Sequence, residues 1–80
     1  MWNLRYAPAA TAGMRRVPRG VAANVTAAIA ALQRTPLPYG VNPEPTGKPN
    51  TYVITEEGYN ITYELIDVGQ IIRVLNIEEE

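Results

Sequence analysis

Three arginines fall within five positions, Arg15, Arg16 and Arg19, the densest group of cations in the chain. Guanidinium forks match phosphate oxygens and helix starts attract anions, so this group is either a phosphate-holding site or a solvated surface. At the far end Glu78, Glu79 and Glu80 form a carboxylate run suited to a cation or a basic partner, or else a frayed, solvated terminus. Besides the carboxylates, five tyrosines (Tyr6, Tyr39, Tyr52, Tyr59, Tyr63) are the side chains with much acid/base capacity. Tyr59 and Tyr63 recur with Ile61 and Leu65 at period two and are expected to pack rather than react. Tyr39 sits among prolines, where it is available to a partner.

What is absent narrows the chemistry further. The chain has no histidine and no cysteine, which removes the usual general base, the commonest metal ligand and every thiolate reaction. It also has no glycine-rich phosphate loop, metal-ligand spacing or nucleophile elbow, so neither metal nor cofactor is expected. Net charge is only −1, without the whole-chain basicity of a nucleic-acid binder. The charges are nonetheless unevenly placed. Residues 1–48 carry Arg5, Arg15, Arg16, Arg19, Arg34 and Lys48 against the single acid Glu44, whereas residues 49–80 carry Arg73 against seven acids. No apolar run approaches the ~18 residues that cross a bilayer, so no membrane partner is expected and a cytoplasmic location is. Arg15 and Arg16 ahead of Val21–Leu32 do not make a signal peptide, because Arg19, Asn24 and Thr26 interrupt the segment.

The elements that must position these residues can be read from periodicity. Eighty residues suffice for one domain, residues 1–80, with a single core. Trp2 to Tyr6 alternates as a half-buried strand. Pro8 opens a short helical turn through Met14, closing near Gly13. Val21, Val25, Ile29 and Leu32 make the apolar stripe of a helix over Arg19–Arg34, which Thr35-Pro36 ends. Residues 36–50 hold five of the seven prolines and read as a structureless loop, either functional or a stiff connector. Three strands follow: Thr51–Thr55, Tyr59–Leu65 and Ile71–Ile77, the first two joined at Glu57-Gly58 and the last two at Asp67-Val68-Gly69. The expected fold is therefore α+β, in the order β-α-α-β-β-β, with two helices on one face of a mostly antiparallel four-stranded sheet.

This order of elements and the text inside them resemble the RelE/ParE superfamily of bacterial toxin–antitoxin toxins. The carrying residues are Ala30-Ala31-Leu32-Gln33-Arg34-Thr35-Pro36, then Gly47-Lys48-Pro49-Asn50-Thr51-Tyr52-Val53-Ile54. Gly58-Tyr59-Asn60-Ile61-Thr62-Tyr63-Glu64-Leu65-Ile66-Asp67 and the apolar strand Ile71–Ile77 complete them. The resemblance covers essentially the whole chain. It implies a RelE/ParE-like fold and an antitoxin as protein partner. For activity it implies either mRNA cleavage on the ribosome, as in RelE-like members, or inhibition of DNA gyrase, as in ParE-like ones.

Carried across residue by residue, the RelE-type catalytic positions are occupied by Val53 and Thr55 where two lysines are usual, Asn60 where an arginine is usual, and Glu80 at the basic end of the last strand. The chain stops before the segment that carries the family's late tyrosine. Catalysis of phosphate transfer rests on stabilising developing negative charge, and this set lacks the cations to do so. The resemblance thus implies a toxin-like protein that keeps partner binding, with Tyr39, Val53 and Arg73 as candidate contacts, and whose mRNA cleavage is weak or lost. Two alternatives stay open: a gyrase inhibitor, or a ribonuclease whose site has moved to Arg15, Arg16, Arg19 and Lys48. Homo-oligomerisation through an exposed sheet edge is also compatible with the pattern.

Overall fold

The computed structural model describes residues 1–37 and 44–80. The chain enters as a strand, β1 (Asn3–Tyr6), and turns into α1 (Pro8–Arg16) and then α2 (Arg19–Ala31). Pro8 occupies the first turn of α1, where its missing N–H costs nothing, and Arg15 and Arg16 sit in the last turn, where cations complement the helix dipole. Val25, Ile29 and Leu32 of the α2 stripe are fully buried, and Val21 packs against the same core. The helix stops at Ala31 rather than Arg34. Residues 32–34 tighten into bonds to the carbonyl three residues back (Leu32 to Ile29, Gln33 to Ala30, Arg34 to Ala31) ahead of Thr35-Pro36.

A five-stranded sheet follows, ordered β1-β5-β4-β3-β2, with β2 (Glu44–Pro45), β3 (Thr51–Glu56), β4 (Tyr59–Ile66) and β5 (Ile71–Glu79). All four expected strands form. β1 runs parallel to β5 and the other neighbours are antiparallel. The fifth strand corrects the expectation of a structureless loop over residues 36–50, since Glu44 and Pro45 pair with Val53 and Tyr52. Nothing in the sequence marks it, because a Glu-Pro dipeptide has no strand propensity and is held only by its neighbour. The β3–β4 hairpin turns on Glu57 and Gly58, both at positive φ (48° and 83°), which is what a two-residue turn matched to strand twist requires.

Two further expectations are corrected. Gly13 does not end α1; it lies inside it, where a Cβ would overlap the Ile77 carbonyl oxygen and lie 3.2 Å from the Ile77 Cβ. The residue lets helix and strand approach closely. The last strand also runs past Ile77. Glu78 and Glu79 pair with Asn60 and Tyr59, and the Glu80 N–H donates to the Gly58 carbonyl at 2.8 Å, so the acidic run is held by backbone bonds rather than frayed.

Both helices cover the same face of the sheet. Ala10, Val17, Val25, Ile29 and Leu32 meet Ile54, Ile61, Tyr63, Ile72, Val74 and Ile77 in one buried cluster. The register of β4 against β5 slips at Thr62/Tyr63: Thr62 opposes Asn76 while Tyr63 opposes Val74, which leaves Leu75 as an extra residue. That bulge explains why the buried positions of β5 run Ile72, Val74 and then Ile77 instead of keeping period two.

Candidate functional site

The face of the sheet opposite the helices is open among the described residues, and cross-strand register arranges its side chains in rows. Thr55, Asn60 and Glu78 form one row across β3, β4 and β5 at the hairpin end. Val53, Thr62 and Asn76 form the next, and Glu64 opposite Arg73 the one after. Arg5 of β1 stands in register with Arg73 on the strand's other side. Val53, Ile66, Ile71 and Leu75 are half-buried without belonging to the residues packed on the core, as expected of apolar groups lying in an open sheet face.

Val53, Thr55 and Asn60 are therefore brought together on this face, and strand alternation puts Glu80 on it beyond Glu78. The Thr55 hydroxyl and the Asn60 amide oxygen are hydrogen-bonded at 3.0 Å, with the hydroxyl as donor. Hydroxyl, amide, isopropyl and carboxylate make up the patch. It holds no positive charge, and Glu78 and Glu80 give it a field that repels phosphate. Arg73 lies further along, 3.6 Å from Glu64 through its guanidinium and half exposed.

The other cations do not converge. Arg15 lines a groove with Tyr6 and Thr26, whereas Arg16 lines a separate depression with Tyr59 and Glu79. Arg19 opens α2 five residues before Asn24, whose side-chain amide donates to both carboxylate oxygens of Glu57 at 3.0 Å. Lys48 lies in the turn that enters β3, its own N–H bonded to the Thr46 hydroxyl at 3.3 Å. The six residues of β3, roughly 20 Å of strand, separate it from the hairpin end where Arg16 lies. Tyr39 falls outside the described residues.

Tyr52, Tyr59 and Tyr63 behave as packing groups. Tyr63 is fully buried, its ring centroid 5.9 Å from that of Tyr52, and its hydroxyl donates to the Pro36 carbonyl at 2.7 Å. Burial, with a smaller contribution from Tyr52, raises its pKa to about 12, so it is a locked structural phenol and not an acid/base group at neutral pH. Burial also raises that of Tyr6. Among the described residues no group of three acids could hold a metal, and no helix is long and apolar enough to cross a membrane.

No family model matches the sequence. No curated protein matches it either. Solved structures do. A chain of the intact Escherichia coli RelBE toxin–antitoxin complex superposes with a TM-score of 0.86 over 100% of this chain and 98% of its own length, at 18% identity. The chain has the RelE toxin fold. A chain of the RelBE2 toxin–antitoxin complex of Mycobacterium tuberculosis (TM-score 0.81, 18% identity, 99% of this chain and 98% of that one) has the same architecture. So does one from the archaeal RelE–RelB complex of Pyrococcus horikoshii (TM-score 0.80, 15% identity, 98% and 93%).

On the RelE fold the sequence brings two contacts that periodicity alone did not single out. Asn24 fastens α2 to the hairpin tip through Glu57, and Arg5 lies beside Arg73. The first joins residues 33 apart and the second depends on the parallel pairing of the first and last strands. Nothing local in the sequence encodes either.

Proposed function

We propose that this chain is a toxin-like protein of a toxin–antitoxin module that binds an antitoxin or similar protein partner, with ribosome-dependent mRNA cleavage weak or lost. The observation that carries this is the open face of a RelE-type sheet on which Val53, Thr55, Asn60 and Glu80 stand where the resemblance calls for cations. A phosphoryl-transfer site without positive charge leaves the developing charge of the transition state unstabilised. Several of the RelE-fold chains it superposes on come from toxin–antitoxin complexes, and its own sheet face, open among the described residues, offers a surface to a partner.

Co-expression with the product of the adjacent open reading frame, followed by affinity purification, tests the binding half. A stoichiometric complex is expected, and recovery of the chain alone counts against it. Incubation of the purified chain with translating ribosomes tests the other half. Intact mRNA is expected, and efficient cleavage in the ribosomal A site refutes the loss of activity.

A further inference from the structure

Arg5 and Arg73 stand side by side on adjacent parallel strands, both exposed, at a strand spacing of about 4.8 Å. Like charges in such a position repel each other, so the arrangement is a standing cost unless an anion lies between them. The carboxylate paired with Arg73 does not meet that need. Glu64 approaches Arg73 at 3.6 Å, beyond hydrogen-bond length, from the β4 side, away from Arg5. Among the described residues Arg5 makes a single hydrogen bond from its guanidinium, a donation to the neighbouring Leu4 carbonyl at 3.0 Å. Both residues are exposed on adjacent strands of the open face, so guanidinium donors of each are open to a ligand there. The row next to them is apolar, with Ile66 paired to Ile71, both half-buried and off the core.

We propose that this spot binds an acidic, aliphatic segment of a protein partner, one carboxylate bridging the guanidinium groups of Arg5 and Arg73 while a neighbouring aliphatic side chain lies on Ile66 and Ile71. Charge complementarity selects the acid, and the apolar row favours a peptide over a nucleic-acid backbone, which would bring phosphates and sugars to that row. The site lies away from the patch of Val53, Thr55, Asn60 and Glu80. It deepens the partner-binding function proposed above and rests on it for its biological occupant.

The test uses the full chain with 15N-labelled arginine side chains. Titration with acetyl-Val-Glu-Ile-Glu-Val-amide is expected to shift the Nε–H signals of Arg5 and Arg73 together and saturably, while the glutamine counterpart of the peptide leaves them in place. No shift with the acidic peptide overturns the proposal. A shift with a twelve-nucleotide oligouridylate and none with the peptide also overturns it, because the pair is then a phosphate site. In parallel, the co-purified partner is measured against the wild type and the Arg5→Ala/Arg73→Ala variant. A loss of about tenfold per arginine is expected, shrinking as salt is raised. Unchanged partner affinity in that variant overturns this site while leaving partner binding intact. Failure to recover any partner instead removes the proposed function, and the peptide titration still decides the chemistry of the site.

Discussion

Replacing Gly13 by alanine sets two effects of opposite sign against each other. Inside a helix the change should stabilise by about 1 kcal/mol, because alanine is the better helix former. Against this, the new methyl would overlap the Ile77 carbonyl oxygen, inside the 3.0 Å limit that real Cβ atoms keep, and would lie 3.1 Å from the carbonyl carbon. The obstacle is backbone of β5 held by its pairing with β4, where Ile77 opposes Ile61, so it cannot swing away as a side chain would. Helix α1 must lift, and Ala10, fully buried on the same helix, loses its contacts as it does. Overpacking of this kind costs about 3 kcal/mol at the upper end of its usual range, which leaves a net loss of roughly 2 kcal/mol. For a domain of this size that is a fall in Tm of roughly 8 to 16 °C. Gly20 supplies the control: a Cβ there meets nothing within 4 Å, so Gly20→Ala should be neutral or stabilising by about 0.5 kcal/mol. Thermal and urea unfolding of both variants, followed by circular dichroism, gives the comparison. A Gly13→Ala protein as stable as the wild type would refute the close helix–strand approach.

Other outcomes are equally open to measurement. Tyr63→Phe removes the donor to the Pro36 carbonyl and should cost about 1 kcal/mol in urea unfolding. Because the folded pKa of Tyr63 lies near 12 and the unfolded one near 10, its contribution is complete below pH 10 and declines as pH rises toward 12. The part of the alkaline loss due to this residue should therefore be missing in the phenylalanine variant, and identical pH profiles would contradict the assignment. Asn24→Ala frees the hairpin tip from α2. It should cost less than about 1 kcal/mol yet speed amide exchange at Glu57 and Gly58, and unchanged exchange would show that the contact does not restrain the turn. Installing cations on the open face with Val53→Lys, Thr55→Lys and Asn60→Arg should create affinity for single-stranded RNA where the wild type has little. Its logarithm should fall with log salt at a slope of roughly −2 for three phosphate contacts, read by fluorescence anisotropy.

Much of the architecture was legible because it rests on local patterns. The Val21, Val25, Ile29, Leu32 stripe has one period and one explanation, and the alternation from Tyr59 to Leu65 another. Gly13 is ambiguous in the sequence because glycine has two uses, ending a helix or admitting a neighbour, and only the position of Ile77 separates them. The Glu44–Pro45 strand owes its existence to β3 and has no signal of its own. In the candidate patch, Val53, Thr55 and Asn60 are grouped in the sequence only by the family resemblance, and the hairpin register then brings them side by side. Arg5 is not so grouped, because its neighbour in space lies 68 residues away on a parallel strand. The four cations at 15, 16, 19 and 48 suggested one cluster in sequence, whereas the length of β3 parts Lys48 from the end that holds Arg16.

The extra residue at Leu75 bears on how this strand can change length over evolutionary time. Strands in the middle of a sheet rarely accept a deletion, because removing one residue turns every later side chain to the opposite face. Here the bulge already absorbs one residue between Val74 and Asn76. Deleting Leu75 would leave Ile72, Val74 and Ile77 directed into the core and Glu78 outward, with the ladder made regular. Deleting Arg73 instead would invert the strand on one side of the cut. Sequences related to this one can thus differ in length at the bulge while keeping the same core face and, apart from Leu75 itself, the same open face, so a gap there in an alignment need not mean a change of function.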